Sequence, residues 1–260
     1  GTKPSDMEEV AVEYGVADNW AVHSEEFIQW VIQDTASTHL PDFRQAGAVV
    51  TADVEPYELM KIRLLNGSHS ALAYIAYLMG YRHVDKAMAD PSIMAFVRKA
   101  YMPTVARTLH PIEGVDFEAY MDRLVARFSN SNISDTILRL AQDGSKKIAN
   151  AIAKPLKESI EGGTDNEAML FALAAWLRFL EGVDETGAPI PIEDHDVARL
   201  CHAAQRLPDA PDEFFAIIGL TSLPNGTRKA LAKRLGSYRD AIKQAGMKKA
   251  LHHFLTDGLA

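Results

Sequence analysis

Glu55-Pro56-Tyr57-Glu58-Leu59-Met60-Lys61-Ile62-Arg63-Leu64-Leu65-Asn66-Gly67-Ser68-His69-Ser70 is the stretch that decides the reading of the fold. Pro56 suits a first helical turn, where its missing N–H costs no hydrogen bond. The helix can then run from Tyr57 to about Met79, ahead of Gly80. On its wheel Leu65, Leu72 and Ala76 share the Lys61 side, while Met60, Leu64, Ile75 and Leu78 cover the opposite flank. A helix apolar on most sides is usually buried, so this one is expected at the centre of a domain.

Further helices are predicted on both sides of that centre. Asp90-Pro91 opens one through Leu109 with a kink at Pro103. Others are expected over Phe117–Phe128, Ile133–Gln142 (stopped near Gly144), Glu167–Leu180, Asp196–Gln205, Asp212–Ile218, Thr227–Leu235, Tyr238–Ala245 and Lys248–Leu255. Gly162-Gly163 and Gly187-Ala188-Pro189-Ile190-Pro191 read as loops. Before Glu55 the pattern is mixed. Ser5-Asp6-Met7-Glu8 reads as a capping box for a short helix ending at Gly15. Trp20–His23, Phe27–Ile32 and Ala48–Val50 are β-prone runs, too few for a sheet of their own. The fold class is therefore mainly α: a multi-helical domain over 55–260, preceded by an α/β segment over 1–54 that reads as the trailing piece of another domain.

Composition narrows the function. With 260 residues, 47% hydrophobic and 24% charged, the chain is globular rather than disordered. No apolar run approaches the ~20 residues of a membrane span. A net charge of −8 argues against a nucleic-acid binder. One cysteine, Cys201, excludes an internal disulfide or a thiolate-rich metal site and fits a reducing cytoplasm. His195 and His202 could share a helix face but lack a third ligand, so no metal is expected. The opening Gly1-Thr2-Lys3 has neither an initiator methionine nor a hydrophobic leader, which predicts a piece of a longer protein.

The chemistry gathers on the central helix. At about 100° per residue, His69 falls near 80° and Asn66 near 140° from Lys61, within one broad sector. Burial would lower the pKa of a lysine there and fit it as a general base. An asparagine amide can donate to a developing alkoxide, and an imidazole can hold a neighbouring hydroxyl. Such a set suits proton abstraction from an alcohol. The plainer alternative is that Lys61 snorkels into solvent while Asn66 and His69 are satisfied core polar groups.

The stretch from Glu55 to Ser70 resembles the Lys-x(4)-Asn-x-x-His signature region of the long-chain polyol dehydrogenases, the family of mannitol 2-dehydrogenase and of fructuronate and tagaturonate reductases. The resemblance continues through Met88-Ala89-Asp90-Pro91, Arg127-Phe128-Ser129-Asn130, Asp135-Thr136 to Arg139, and Asp143-Gly144-Ser145-Lys146-Lys147-Ile148. A weaker echo is Ala175-Trp176-Leu177-Arg178 with Gly182-Val183-Asp184. It implies a helical carboxy-terminal substrate domain like that of 6-phosphogluconate dehydrogenase. It also implies Lys61 as general base, Asn66 stabilising the alkoxide, His69 binding substrate, and Arg139 and Lys147 as further substrate-binding residues. The implied substrate is a polyol such as mannitol or a 2-ketose such as fructose, with a hexuronate as alternative. The implied cofactor is NAD or NADP, bound mainly by a domain that this chain lacks, which would leave the isolated chain inactive. The implied enzyme is a metal-independent monomer. Ser131 and Ala149 stand where the family often has proline. The strand–Gly-rich turn–helix fingerprint of a dinucleotide site is absent from the sequence. A rival of another class is a helical interaction module without catalysis.

Overall fold

A computed structural model describes residues 3–22, 24, 27–35, 41–133 and 135–256. The chain forms two compact units, Gly1–Val54 and Glu55–Ala260. In the first, the helix Pro4–Tyr14 ends at Gly15 in the left-handed conformation (φ 65°). Its start lies two residues before the predicted box: Lys3, not Ser5, is the cap, and Asp6, not Glu8, reaches back, accepting from the backbone N–H of Lys3 at 2.7 Å. Strands Val31–Gln33 and Val49–Thr51 pair in parallel, in register Val31↔Val49. The first is shorter than the Phe27–Ile32 run that predicted it, the second is displaced by one residue from Ala48–Val50, and Trp20 lies in a turn, its N–H held by Asp18. The run's end at His23 lies outside the described residues. Trp20, Val22 and Ile28 stay exposed.

In the second unit two helices buried nearly all round, Gly67–Leu78 and Glu167–Phe179, pack against each other at the centre. Tyr74 and Tyr77 meet Phe179 edge-on, at 5.1 and 5.3 Å between ring centroids. The long helix Asn225–Ala245 covers the other side of the Glu167–Phe179 helix. It runs through Gly236 where two helices were predicted, because a lone glycine weakens a helix by only about 1 kcal/mol and does not break it. Among the described residues no helix is long and apolar enough to cross a membrane.

Three helices contain a widened turn with i→i+5 bonding: Lys61–Asn66, Phe96–Tyr101 and Ala149–Ala153. The last two precede Pro103 and Pro155 by two residues. A proline ring clashes with the carbonyl four residues back and supplies no N–H, and an extra residue in the turn relieves both problems. The kink predicted at Pro103 takes this form. The first turn has no proline and ends instead on Gly67, whose N–H bonds the Ile62 carbonyl. The three meet at Gly67: a Cβ there would lie 2.5 Å from Tyr101 Oη and 3.0 Å from the Ala151 carbonyl. Only glycine admits that approach.

Two expectations about the following helices are corrected. The predicted 133–142 helix is shorter, Ile137–Ala141, because Thr136 caps it by accepting from the Arg139 N–H. Gly144 does not stop a helix. It starts Gly144–Ile148, which continues through the third widened turn into Lys154–Glu161, a helical stretch that the sequence pattern did not reveal.

Candidate active site

The rod that carries Lys61, Asn66 and His69 is three successive segments: Glu55–Met60, the widened turn Lys61–Asn66, and Gly67–Leu78. Lys61 opens the widened turn and Asn66 closes it. In an i→i+5 turn, positions five apart come round to nearly the same side. The 140° separation expected for an α-helix is therefore too wide. Such turns occur often at functional sites.

Both residues are exposed. The predicted burial of the Lys61 ammonium is thus corrected: the apolar flanks of the rod bury Arg63 and Leu64 but leave Lys61 at the surface of this unit. What fixes the turn is Arg63 in its middle. Its guanidinium is buried and donates to both carboxylate oxygens of Glu158 (2.6 and 2.7 Å), to the Thr108 carbonyl (2.7 Å) and to Thr108 Oγ1 (2.9 Å).

His69, just past the turn, is half-buried and stacks on Phe128, 4.3 Å between ring centroids. Burial pushes its pKa down to about 4; Asp135 opposes the shift, and Arg139, Arg127 and Lys147 add to it. These are the residues of the separate family-like stretches, so the fold gathers them about one imidazole. Asp135 also pairs with Arg139 through both carboxylate oxygens, at the i,i+4 spacing. Lys147 is half-buried, its Nζ donating to the Leu140 carbonyl at 3.1 Å. Burial lowers its pKa, and the Asp143 carboxylate partly restores it.

The structure therefore brings His69, Arg139 and Lys147 together, with Lys61 and Asn66 on adjoining turns of the His69 rod. It adds Phe128, Arg127 and Asp135, which stand inside quoted motifs but were assigned no role. The Asp135/Arg139 spacing was a usable signal; the stacking of Phe128 on His69 had none. Lys146 is exposed and lines a cleft of ≈ 560 Å³ with Asp143, Glu193, Asp194 and His195. It is not among the charges acting on His69. His195 precedes the helix Val197–Gln205 and His202 lies within it, so they do not share one helix. Among the described residues no His, Cys, Asp and Glu cluster could hold a metal ion.

A desolvated imidazole gives a testable pH dependence. Between pH about 6.5 and 4 the unfolded chain binds a proton at this position that the folded chain does not. Stability should then decline as pH falls through that window, by up to about 3 kcal/mol, and level off below it. Urea denaturation at pH 7 and pH 4.5 should show a smaller difference for His69→Gln than for the parent protein. An equal difference would mean that His69 is not desolvated.

A helical domain with ionisable and amide groups on one rod, faced by cations from two neighbouring helices, defines a class with known members. The chain belongs to the mannitol dehydrogenase C-terminal domain family, whose model matches residues 53–230. It is 36% identical over 248 residues to a mannitol dehydrogenase of Saccharomyces cerevisiae, covering 95% of this chain and 49% of that protein. It is 35% identical over 220 residues to the D-mannonate oxidoreductase of Escherichia coli, covering 85% of this chain and 45% of that one. Among solved structures it superposes on Pseudomonas fluorescens mannitol 2-dehydrogenase in ternary complex with NAD and D-mannitol. The TM-score is 0.85 at 32% identity, over 98% of this chain and 52% of that one. The chain spans about half the length of the curated relatives it matches.

Proposed function

We propose that this chain is the substrate-binding, proton-transferring part of an NAD(P)-dependent polyol dehydrogenase, which interconverts a sugar alcohol such as D-mannitol and a 2-ketose such as D-fructose. The gathering of Arg139 and Lys147 about His69, on the rod that also bears Lys61 and Asn66, carries this reading. The similarity to an enzyme solved with NAD and D-mannitol supports it.

In this reading the Lys61 amine takes the hydroxyl proton as the carbon is oxidised. The Asn66 carboxamide donates to the oxygen on which negative charge develops. His69, neutral at physiological pH, holds a neighbouring hydroxyl through one ring nitrogen. Arg139 and Lys147 donate to hydroxyls further along the substrate. A nicotinamide dinucleotide, bound in the complete enzyme, would supply the hydride acceptor. The residues described here do not fit that group: the sheet has two strands of three residues, with no Gly-rich strand-to-helix turn. No step of this chain is assigned to it. The unit over 1–54 is read as the trailing part of the dinucleotide-binding domain, as its parallel strand pair suits a doubly wound sheet. The enzyme is taken to be a cytoplasmic, metal-independent monomer.

One observation favours a hexuronate instead: Arg127 adds to the positive charge that acts on His69 together with Arg139 and Lys147, and the summed charge suits a carboxylate. Steady-state assays of the complete protein with hexitols, pentitols, 2-ketoses, fructuronate and tagaturonate decide between them. D-mannitol and D-fructose are expected to give kcat/KM at least about tenfold above either uronate, a discrimination of about 1.4 kcal/mol. A preference for uronates would replace the first reading by the second, and turnover of neither class would remove both.

A further inference from the structure

Lys147 rides in the first turns of the continuous helical stretch that begins at Gly144 and runs through the third widened turn to Glu161. The first N–H groups of a helix have no partner within it, and the local sequence does not secure this start. The preceding Asp143 is in the left-handed conformation (φ 51°), and its side chain makes no capping bond. It is the one non-glycine residue with positive φ among those described. The bonds that hold this start come from about fifty residues further on. The Asp194 carboxylate accepts from the Ser145 N–H at 2.8 Å and from the Ser145 hydroxyl, and it is fixed in turn by the His195 N–H at 2.8 Å. Beside it the Glu193 carbonyl accepts from the Asp143 N–H at 3.0 Å, and the Glu193 carboxylate from Gln142 Nε2 at 2.6 Å. On another side the helix presses on the core: a Cβ at Gly144 would lie 2.6 Å from Tyr74 Oη and 2.9 Å from Trp176 Nε1. Core contact and the Asp194 bonds together leave the helix one placement.

We infer that Asp194 is a positioning residue for substrate binding: by tying Ser145 to the 193–195 loop, it sets where the Lys147 ammonium stands beside His69. This rests on the reading of Lys147 as a substrate-binding cation. Asp194 itself touches no reacting atom. Its loss therefore acts through Lys147 and shows in KM for the polyol more than in kcat or in KM for the dinucleotide. The conservative change has a distinct signature. In Asp194→Asn the remaining amide oxygen still accepts from the Ser145 N–H and its NH₂ can donate to the Ser145 hydroxyl; only the bond from the His195 N–H, made to the carboxylate oxygen that the NH₂ replaces, is lost.

The test is a set of variants of the complete protein, assayed for D-mannitol oxidation, or with the preferred substrate of the screen above. Asp194→Ala is expected to raise the polyol KM about tenfold, with kcat and the dinucleotide KM within about threefold of the parent. Asp194→Asn is expected to restore the polyol KM to within about threefold. Lys147→Ala raises it as much as Asp194→Ala or more, and the double variant is no worse than Lys147→Ala alone, because both remove one interaction. Additive effects, or a normal KM in Asp194→Ala beside a raised one in Lys147→Ala, would overturn the positioning role and leave the proposed function standing. A normal KM in Lys147→Ala would instead remove the substrate-binding role of Lys147, and the inference with it. Should Asp194→Ala fail to fold, Ser145→Ala serves: a polyol KM raised about threefold supports the inference, and an unchanged one refutes it.

Discussion

Replacing Lys61 by alanine in the complete protein should lower kcat for polyol oxidation by about 10³-fold, inside the 10²–10⁴-fold range of a positioned general base. A hydroxyl that loses its hydride must also lose its proton, and without the amine that proton passes to water. Because Lys61 is exposed in this unit, the variant should keep its stability to within about 0.5 kcal/mol. Loss of rate then cannot be ascribed to misfolding. The residual rate should climb with pH as hydroxide takes over, and added small primary amines should restore part of it. A helical module without catalysis predicts no change at all. A kcat within threefold of the parent would exclude Lys61 as the base.

Arg63→Met should cost about 3 kcal/mol of stability, since a buried guanidinium with several charge-assisted bonds is lost and its partners are left to find others. The methionine replaces the apolar stem but none of the bonds to Glu158 and Thr108. At this size the melting temperature should drop by roughly 6–12 °C. Glu158→Gln should cost less, because its side chain is 45% exposed and an amide oxygen still accepts from Arg63. A melting temperature lowered by under 2 °C in Arg63→Met would show that the pair does not pin the widened turn.

The helical class and the buried rod that carries the candidate site, over Glu55–Ser70, were legible because they depend on local signals. Those are the Pro56 start, the all-round apolar pattern of the rod, and the run Lys61, Asn66, His69. Phe117–Phe128 was legible to the residue, since Asp116 caps its start by accepting from Glu118 and Ala119 N–H groups. What could not be read depends on contacts distant in sequence. The helix at Gly144 requires Asp194, and glycine followed by a polar run looks like a stop when that partner is unseen. The widened turn over Lys61–Asn66 has no proline to announce it. It is held by the bonds of Arg63 to Glu158 and Thr108 and by the close approach of the Phe96–Tyr101 and Ala149–Ala153 turns to Gly67, all far along the chain. The wheel angles and the burial of Lys61 were misjudged for one reason: both assumed a uniform α-helix buried along its whole length, whereas the rod is irregular where its polar groups emerge.

The extra residue in that turn ties together two demands usually met apart. Wound as an ordinary α-helix, the same six residues would set amine and carboxamide about 140° apart around the axis. The apolar faces before and after would also swing out of line by about 100°, the rotation of the one residue that the wide turn absorbs. Closure of the core and alignment of the polar pair thus depend on a single accommodated position. A sequence that lost the wide turn would forfeit both at once.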